Sequence, residues 1–331
     1  MPAILLHQNM RNFAGESSRR RERVYAYLGQ PPPRARRPRS WRGVMPAAGT
    51  FGFPGIAAGL GGAGGGQGAV AIAGFTELTN PRGARTTVER LARALMGVAP
   101  ARVELFNCGV TIVSRRRAGR RRILVQAPEY LALAIAPGVE LLALGRVPLQ
   151  GAIAAATSEC EREPFACPWR LQQPPLASAE YRFVCYAVVR LSRGAEPIAV
   201  GFVHNTYTLA SRQVTSGRLP TILGRIRNNP VETPSVVYVG GDFNVAPPAP
   251  PRPNARFPLW PYYAGIGPAT PLAFPCGAGA GTTAGGNTYD WWVADRPPPV
   301  GAPPVASIST LTFDGREGLM SDHVAILLTL P

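Results

Sequence analysis

Gly240-Gly241-Asp242-Phe243-Asn244 stands directly after Val236-Val237-Tyr238-Val239, a β-branched and aromatic run that reads as a buried strand. In an extended chain, residues two apart face the same side. Asp242 and Asn244 are therefore expected to point together into a cleft while Phe243 packs into the core. The two glycines permit backbone bends and close approach. Asp242 brings a carboxylate suited to act as a base or a metal ligand, and Asn244 an amide that both donates and accepts. The same five residues, taken alone, also fit a turn with capping side chains, so the functional reading needs partners elsewhere in the chain.

Working outward, several polar residues stand at the ends of apolar runs. Ser321-Asp322-His323 precedes the last apolar run, and His204 closes Ile198 to Val203 and is followed by Asn205 and Thr206. The chain has only three histidines, and two of them occupy such strand ends. Glu77 follows the run Ala69 to Ala73 and the link Gly74-Phe75-Thr76, Asn9 follows Ile4-Leu5-Leu6, and Asp290 sits in Asn287-Thr288-Tyr289-Asp290-Trp291-Trp292. An acid after a strand is commonly a cap or a surface group, so the weight rests on the set.

Further strands are expected at 3–6, 69–73, 110–113, 123–126, 139–144, 183–191, 198–203, 289–293 and 324–330. Val88, Leu91, Ala92 and Leu95 give helical spacing over 86–96, with Thr86 or Thr87 as N-cap and Gly97 as the stop. A second helix is expected over 219–227, Pro220 suiting its first turn, and 16–27 also fits a helix. Gln30 to Gly68, with Pro31-Pro32-Pro33, Arg-Pro repeats and a glycine run, reads as a long surface insertion. Alternating strands and helices, with strand pairs close together, predict mixed sheets covered by helices, in one domain spanning 1–331.

The formal net charge is +16, the pI is about 10.7, and the sequence holds no lysine, so all 35 basic residues are arginine. A basic protein attracts polyanions, nucleic acid first. With 37 Gly and 36 Pro, the same arginines also fit a GC-rich coding bias. None of the five cysteines forms a CxxC pair, which argues against a zinc cage. Cys160 and Cys167 fit a small disulfide loop or reduced thiols equally. No stretch approaches the ~20 uninterrupted apolar residues of a membrane span. Ala3-Ile4-Leu5-Leu6 is far short of a signal peptide, and cleavage of a leader would remove Asn9. A cytoplasmic protein is expected, with leaderless export as the alternative.

Taken in chain order, these segments resemble the endonuclease/exonuclease/phosphatase superfamily, which includes DNase I and abasic-site endonucleases. The resemblance runs over nearly the whole chain: Asn9, then Glu77, a strand ending in His204, Gly-Asp-Phe-Asn at 241–244, Asp290 in an aromatic strand, and Ser-Asp-His at 321–323. Cys108-Gly109-Val110-Thr111-Ile112-Val113-Ser114-Arg115 also resembles the family's glycine-initiated strand. The resemblance implies an α/β four-layer sandwich, two packed mixed β-sheets flanked by helices, with a cleft at one end.

It further implies that Asn9 and Glu77 hold a divalent metal with help from Asp322. Asp242 and Asn244 would orient or activate the attacking water, and His204 and His323 would bind and polarise the scissile phosphate. Asp290 would hydrogen-bond His323 and fix its tautomer. Oxygen ligands without a thiolate suit Mg²⁺ or Mn²⁺. Glu161-Arg162-Glu163-Pro164 resembles the Arg-Glu-Pro segment of DNase I, which implies Arg162 at a substrate phosphate; an ordinary surface arginine is the other reading.

The chain also departs from the pattern. Glu77 lies far from Asn9, Val203 stands where Thr is common, and the carboxylate partner of His204 is not evident, Glu104 being the candidate. His7 shares a face with Asn9 but has no counterpart in the resemblance, and reads as a supporting or structural residue. The expected activity is metal-dependent phosphodiester hydrolysis by a monomer, with DNA as substrate and partner. The alternatives are a phosphatase or phospholipase acting on phosphoinositide or sphingomyelin, and a non-catalytic nucleic-acid-binding module.

Overall fold

A computed structural model describes residues 3–13, 69–79, 81–116, 122–149, 182–205, 219, 221–244, 270–272, 282–283, 288–296, 305–308, 323 and 325–331. The segment 30–68, the expected helix at 16–27, Arg162, Asp322, Cys160 and Cys167 lie outside these residues.

Two six-stranded sheets are formed. The first contains β1 (Ala3–Phe13), β2 (Ala69–Leu78), β3 (Arg102–Arg116), β4 (Arg122–Ile135), β11 (Val305–Ile308) and β12 (Ile326–Leu330), in the order β11-β12-β1-β2-β4-β3. The second contains β5 (Glu140–Pro148), β6 (Phe183–Arg190), β7 (Ile198–His204), β8 (Val236–Asp242), β9 (Thr270–Leu272) and β10 (Asp290–Ala294), in the order β5-β6-β7-β8-β10-β9. Each sheet is mixed: β1–β2 and β7–β8 are parallel, and the other pairs are antiparallel.

The central strands are apolar at nearly every position because both of their faces are covered. In β1, Leu5 belongs to the core between the sheets, whereas Ile4 and Leu6 join a second core beneath helix α1 (Pro81–Met96). That helix buries Ala84, Val88, Leu91, Ala92 and Leu95 against the first sheet. Its start differs from the expected 86–96. Pro81 serves as the first helical residue, where a missing N–H costs nothing. Thr87, one of the two expected caps, instead donates its hydroxyl back to the Gly83 carbonyl at 3.1 Å, as a threonine inside a helix does. Gly97, with φ of 72°, ends the helix as expected. Residues 221–227 are helical (α2) and contribute Ile222, Leu223 and Ile226 to the apolar cluster of the second sheet.

Across the sandwich β2 meets β7, β1 meets β8 and β3 meets β6. The sheets approach closely where Phe202 lies over Gly74: a Cβ at position 74 would sit 2.3 Å from the Phe202 ring. Gly74 and Phe202 stand three and two residues before Glu77 and His204 in their strands. No helix of the described residues is long and apolar enough to cross a membrane.

Candidate active site

Strand register assembles the site. In the second sheet His204 pairs with Asp242 across β7–β8, and Asp290 pairs with Asp242 across β8–β10. Three chemically capable residues thus lie side by side at one sheet end. In the first sheet Asn9 pairs with Thr76 across β1–β2, and Glu77 follows directly. Because β1 faces β8 and β2 faces β7, the two rows converge. His323 enters beside them through a bridge to Thr283.

Gly241 has a φ of 153°, and a Cβ there would lie 2.1 Å from the Val203 carbonyl oxygen, so only glycine lets β8 lie this close to β7. Phe243 packs inward as expected, its ring stacked on Trp291 at 4.0 Å. The extended path expected through Asn244 is not followed. β8 ends at Asp242, and Asn244 adopts a φ of 53°. The cause is local: the Asn244 N–H donates to Asp242 Oδ1 at 2.7 Å, a side-chain-capped turn of the kind Asp and Asn favour. The two side chains still meet, since Asn244 Nδ2 donates to Asp242 Oδ2 at 3.3 Å and to the Asn205 carbonyl at 2.8 Å.

Asp242 is the hub. Asn9 Nδ2 donates to Asp242 Oδ2 at 3.0 Å and to Glu77 Oε1 at 2.9 Å, one amide group clamping two carboxylates. The Nε2 atoms of His204 and His323 lie 3.9 Å and 3.8 Å from the same Asp242 oxygen. Glu77 is turned into the cleft by a φ of 56°, a conformation costly for a residue with a Cβ, and its Oε1 lies 3.1 Å from His204 Nε2.

Both imidazoles are held from behind by carboxylates. His323 Nδ1 lies 2.7 Å from Asp290 Oδ2, the pair expected from sequence. His204 Nδ1 lies 2.7 Å from Glu129 Oε1. Glu104 had been the candidate for this role; it lies instead on the same strand as Arg102, which it pairs, at the sandwich margin. Glu129 is fully buried in β4, and its other oxygen pairs with the buried Arg182. Arg182 Nη1 also approaches His204 Nδ1 at 3.2 Å. Sequence reasoning missed both residues. The signal available was Glu129 opening the apolar stretch Tyr130–Ile135, and Arg182 immediately before β6.

The electrostatics follow from burial and pairing. Burial alone would push the Glu129 carboxyl up, but the Arg182 guanidinium and His204 outweigh it and hold it at about 2. Burial opposes the charged form of His204 as well; Glu129 and Glu77 overcome this and raise it. Asp242 is pushed up to about 7 by burial and by the Asp290 charge, with His323 and His204 opposing. His7, fully buried between the sheets, is lowered to about 4 by burial, although Asp290 opposes the shift.

Ligand atoms of Glu77, His204 and Asp242 lie within 4.8 Å of one another, as do those of Asp242, Asp290 and His323. The carboxylate oxygens of these groups fit a hard cation, and the buried like charges around Asp242 are ones that a cation would neutralise. The buried thiols of Cys108 and Cys185 are both raised far above the usual range, burial being the main cause, so neither offers a thiolate.

No protein-family model matches the sequence, and no curated protein matches it. Solved structures do. The human Nocturnin catalytic domain with bound sulfate aligns over 100% of this chain and 94% of that one, with 12% identity and a TM-score of 0.52. A mannosyl-6-phosphatase from Bacteroides thetaiotaomicron aligns over 99% of each chain, with 11% identity and a TM-score of 0.52. An endonuclease/exonuclease/phosphatase family protein from the same organism aligns over 100% of this chain and 98% of that one, with 11% identity and a TM-score of 0.51. The chain therefore has the endonuclease/exonuclease/phosphatase fold, the sandwich of two mixed sheets that the motifs implied.

Proposed function

We propose that this protein is a divalent-metal-dependent phosphoester hydrolase and, within that class, a DNA endonuclease. The observation that carries the reading is the pair of carboxylate-backed imidazoles, Glu129–His204 and Asp290–His323, whose Nε2 atoms converge on the buried Asp242.

In this reading Glu77 holds the metal ion, with Asn9 fixing its spacing from Asp242, and Asp322, outside the described residues, assists. A bound Mg²⁺ or Mn²⁺ supplies charge neutralisation at the phosphoryl oxygens and leaving group. The chain's own residues supply the rest. The carboxylates behind His204 and His323 accept hydrogen bonds from Nδ1–H, so each ring presents Nε2 to the substrate. His204, kept protonated by Glu129 and Glu77, donates a hydrogen bond to a phosphoryl oxygen that gains charge. Asp242, ionised, accepts a proton from the attacking water, while Asn244 and Asn9 fix the direction of its lone pairs. Phe202 and Trp292, both fully buried, pack edge to face with ring centroids 5.9 Å apart.

DNA is favoured by the net charge of +16, carried entirely by arginine, whose planar fork matches phosphate. Arg162 is assigned to a substrate phosphate on the same reading. The fold is shared with a protein named as a sugar phosphatase, so a phosphomonoesterase is the second reading. A substrate panel separates them. Supercoiled plasmid, a phosphoinositide, sphingomyelin and a hexose 6-phosphate are each incubated with the protein and Mg²⁺ or Mn²⁺. Nicked plasmid supports the nuclease; release of inorganic phosphate from the phosphoinositide or the hexose 6-phosphate, or of phosphocholine from sphingomyelin, with intact plasmid, replaces it.

Metal and protons compete at Asp242. Its carboxyl lies at about 7 in the fold against 3.8 otherwise, so between these values the folded state holds the extra proton. Stability from this group is greatest at low pH and falls as pH rises through that window. A cation offsets the loss. Mg²⁺ is therefore expected to raise the melting temperature by little near about pH 5 and by several degrees near about pH 8. A shift of equal size at both pH values in thermal denaturation would contradict the placing of the cation against Asp242.

A further inference from the structure

We propose that His7 is a positioning residue for His323, acting through the far oxygen of Asp290. His7 is fully buried in β1, with its ring stacked against Phe202 at 6.1 Å between centroids. Its Nε2 lies 3.0 Å from Thr76 Oγ1. Its Nδ1 faces Asp290 Oδ1 at 3.8 Å, and neither of these two buried atoms has another hydrogen-bond partner among the described residues. The other Asp290 oxygen is the one that holds His323 Nδ1 at 2.7 Å. One carboxylate thus stands between two imidazoles, and only one of them reaches the cleft.

The tautomer follows from this placement. The Thr76 hydroxyl can donate to Nε2, which leaves the ring proton on Nδ1, aimed at the carboxylate. The opposite tautomer would set a nitrogen lone pair against a buried carboxylate oxygen and leave both without a donor, at a desolvation cost of about 1–3 kcal/mol. An approach of about 1 Å turns the facing pair into a hydrogen bond. Asp290 is then fixed at both oxygens, its plane cannot rotate, and the direction of His323 Nε2 toward Asp242 is set from a distance. Glu129 has the same double support, with Arg182 in the place of His7. The two histidines of the site are therefore braced by the same device built from different residues.

The kinetic consequence rests on His323 acting in phosphoester hydrolysis, but the hydrogen bond does not. The test accordingly has two arms. The chain has three histidines, so selective ¹⁵N-histidine labelling gives three imidazole patterns, assigned with His7→Asn, His204→Asn and His323→Asn variants. His7 in the intact protein is expected as the Nδ1-protonated tautomer, and an Nε2-protonated His7 would overturn the inference whatever the protein's activity. In the second arm, His7→Phe fills the ring volume without a donor, and His7→Asn returns an N–H near the Nδ1 position. His7→Phe is expected to lower kcat by about 10–100-fold with KM little changed, as loss of a supporting hydrogen bond does. His7→Asn is expected to recover most of that loss. Unchanged kcat in a folded His7→Phe would overturn the inference, and so would equal loss in both variants. If the intact protein turns over none of the substrates named above, the hydrolase reading fails, and the tautomer alone decides the role of His7.

Discussion

Asp242→Asn is expected to lower kcat by about 10²–10⁴-fold, the range associated with loss of a positioned acid–base group. Asparagine keeps the shape of the side chain and one acceptor, so the fold at the end of β8 persists. What disappears is the negative charge onto which Asn9, Asn244, His204 and His323 converge. Without it, Glu77 is left as the main carboxylate for the cation, and nothing at the hub accepts the water proton. The pH-dependent stabilisation by Mg²⁺ should vanish in the same variant. Steady-state kinetics and thermal denaturation, with circular dichroism to establish folding, check both outcomes. A folded Asp242→Asn protein with turnover near that of the wild type would remove Asp242 from the chemistry.

Glu129→Gln has the largest expected effect on stability. Glu129 and Arg182 are both buried, and their pairing is what keeps two charges in a site closed to water. Neutralising one partner leaves the guanidinium uncompensated, a change that costs about 3–5 kcal/mol in comparable buried pairs. Adding Arg182→Met should recover much of that loss, because the stranded charge is then gone. Acid should expose the same pair. Glu129 sits at about 2 in the fold against an ordinary 4.5. Its stabilising contribution is complete above the ordinary value and is lost as pH falls through the window toward 2. Urea unfolding at neutral and acidic pH measures both effects. The wild-type advantage over Glu129→Gln should shrink on acidification, and an advantage that stays constant would contradict the pairing. His204 loses its brace in the same variant, so kcat should also fall, by about 10–100-fold.

The contrast between these two residues shows what could be read from the sequence. Asp242 was legible because it stands in a short motif at the end of a strongly β-prone run, and the register of β7, β8 and β10 then carries His204 and Asp290 to it. Glu129 was not legible, because its burial depends on pairing with β3 and on Arg182, distant in sequence and just before β6. Glu104 was the more visible candidate, in a polar stretch at the start of β3, but that stretch belongs to a sheet edge where charged side chains face solvent. The Asn244 geometry was misjudged for a local reason: period-two reasoning assumes an extended backbone, and the Asp242 carboxylate ends that extension by capping its own turn. β9 and β11 escaped notice because each is only three or four residues long and flanked by proline-rich sequence. The position of Pro271 within β9 is tolerable because β9 is an edge strand. Helix α1 begins at Pro81, five residues before the expected start, because Thr86 and Thr87 lie inside it and Thr87 bonds back to Gly83.

The fold came from the core pattern, and the candidate site from residues at strand ends. His7 shows the limit of both kinds of signal. Its position in β1 puts it on the face of Leu5 and Asn9, but its relation to Asp290 exists only because β1 crosses the second sheet at this point.

In the proposed function the Asp242 hub cleaves a phosphodiester in DNA with the help of a divalent cation. The most direct test is supercoiled-plasmid nicking by the wild-type protein and by Asp242→Asn, with Mg²⁺ or Mn²⁺ and with EDTA. Nicking by the wild type that EDTA abolishes and that the variant lacks is the expected result. A folded wild-type protein that binds the plasmid and leaves it supercoiled with either metal, or a variant that nicks as fast as the wild type, would contradict it.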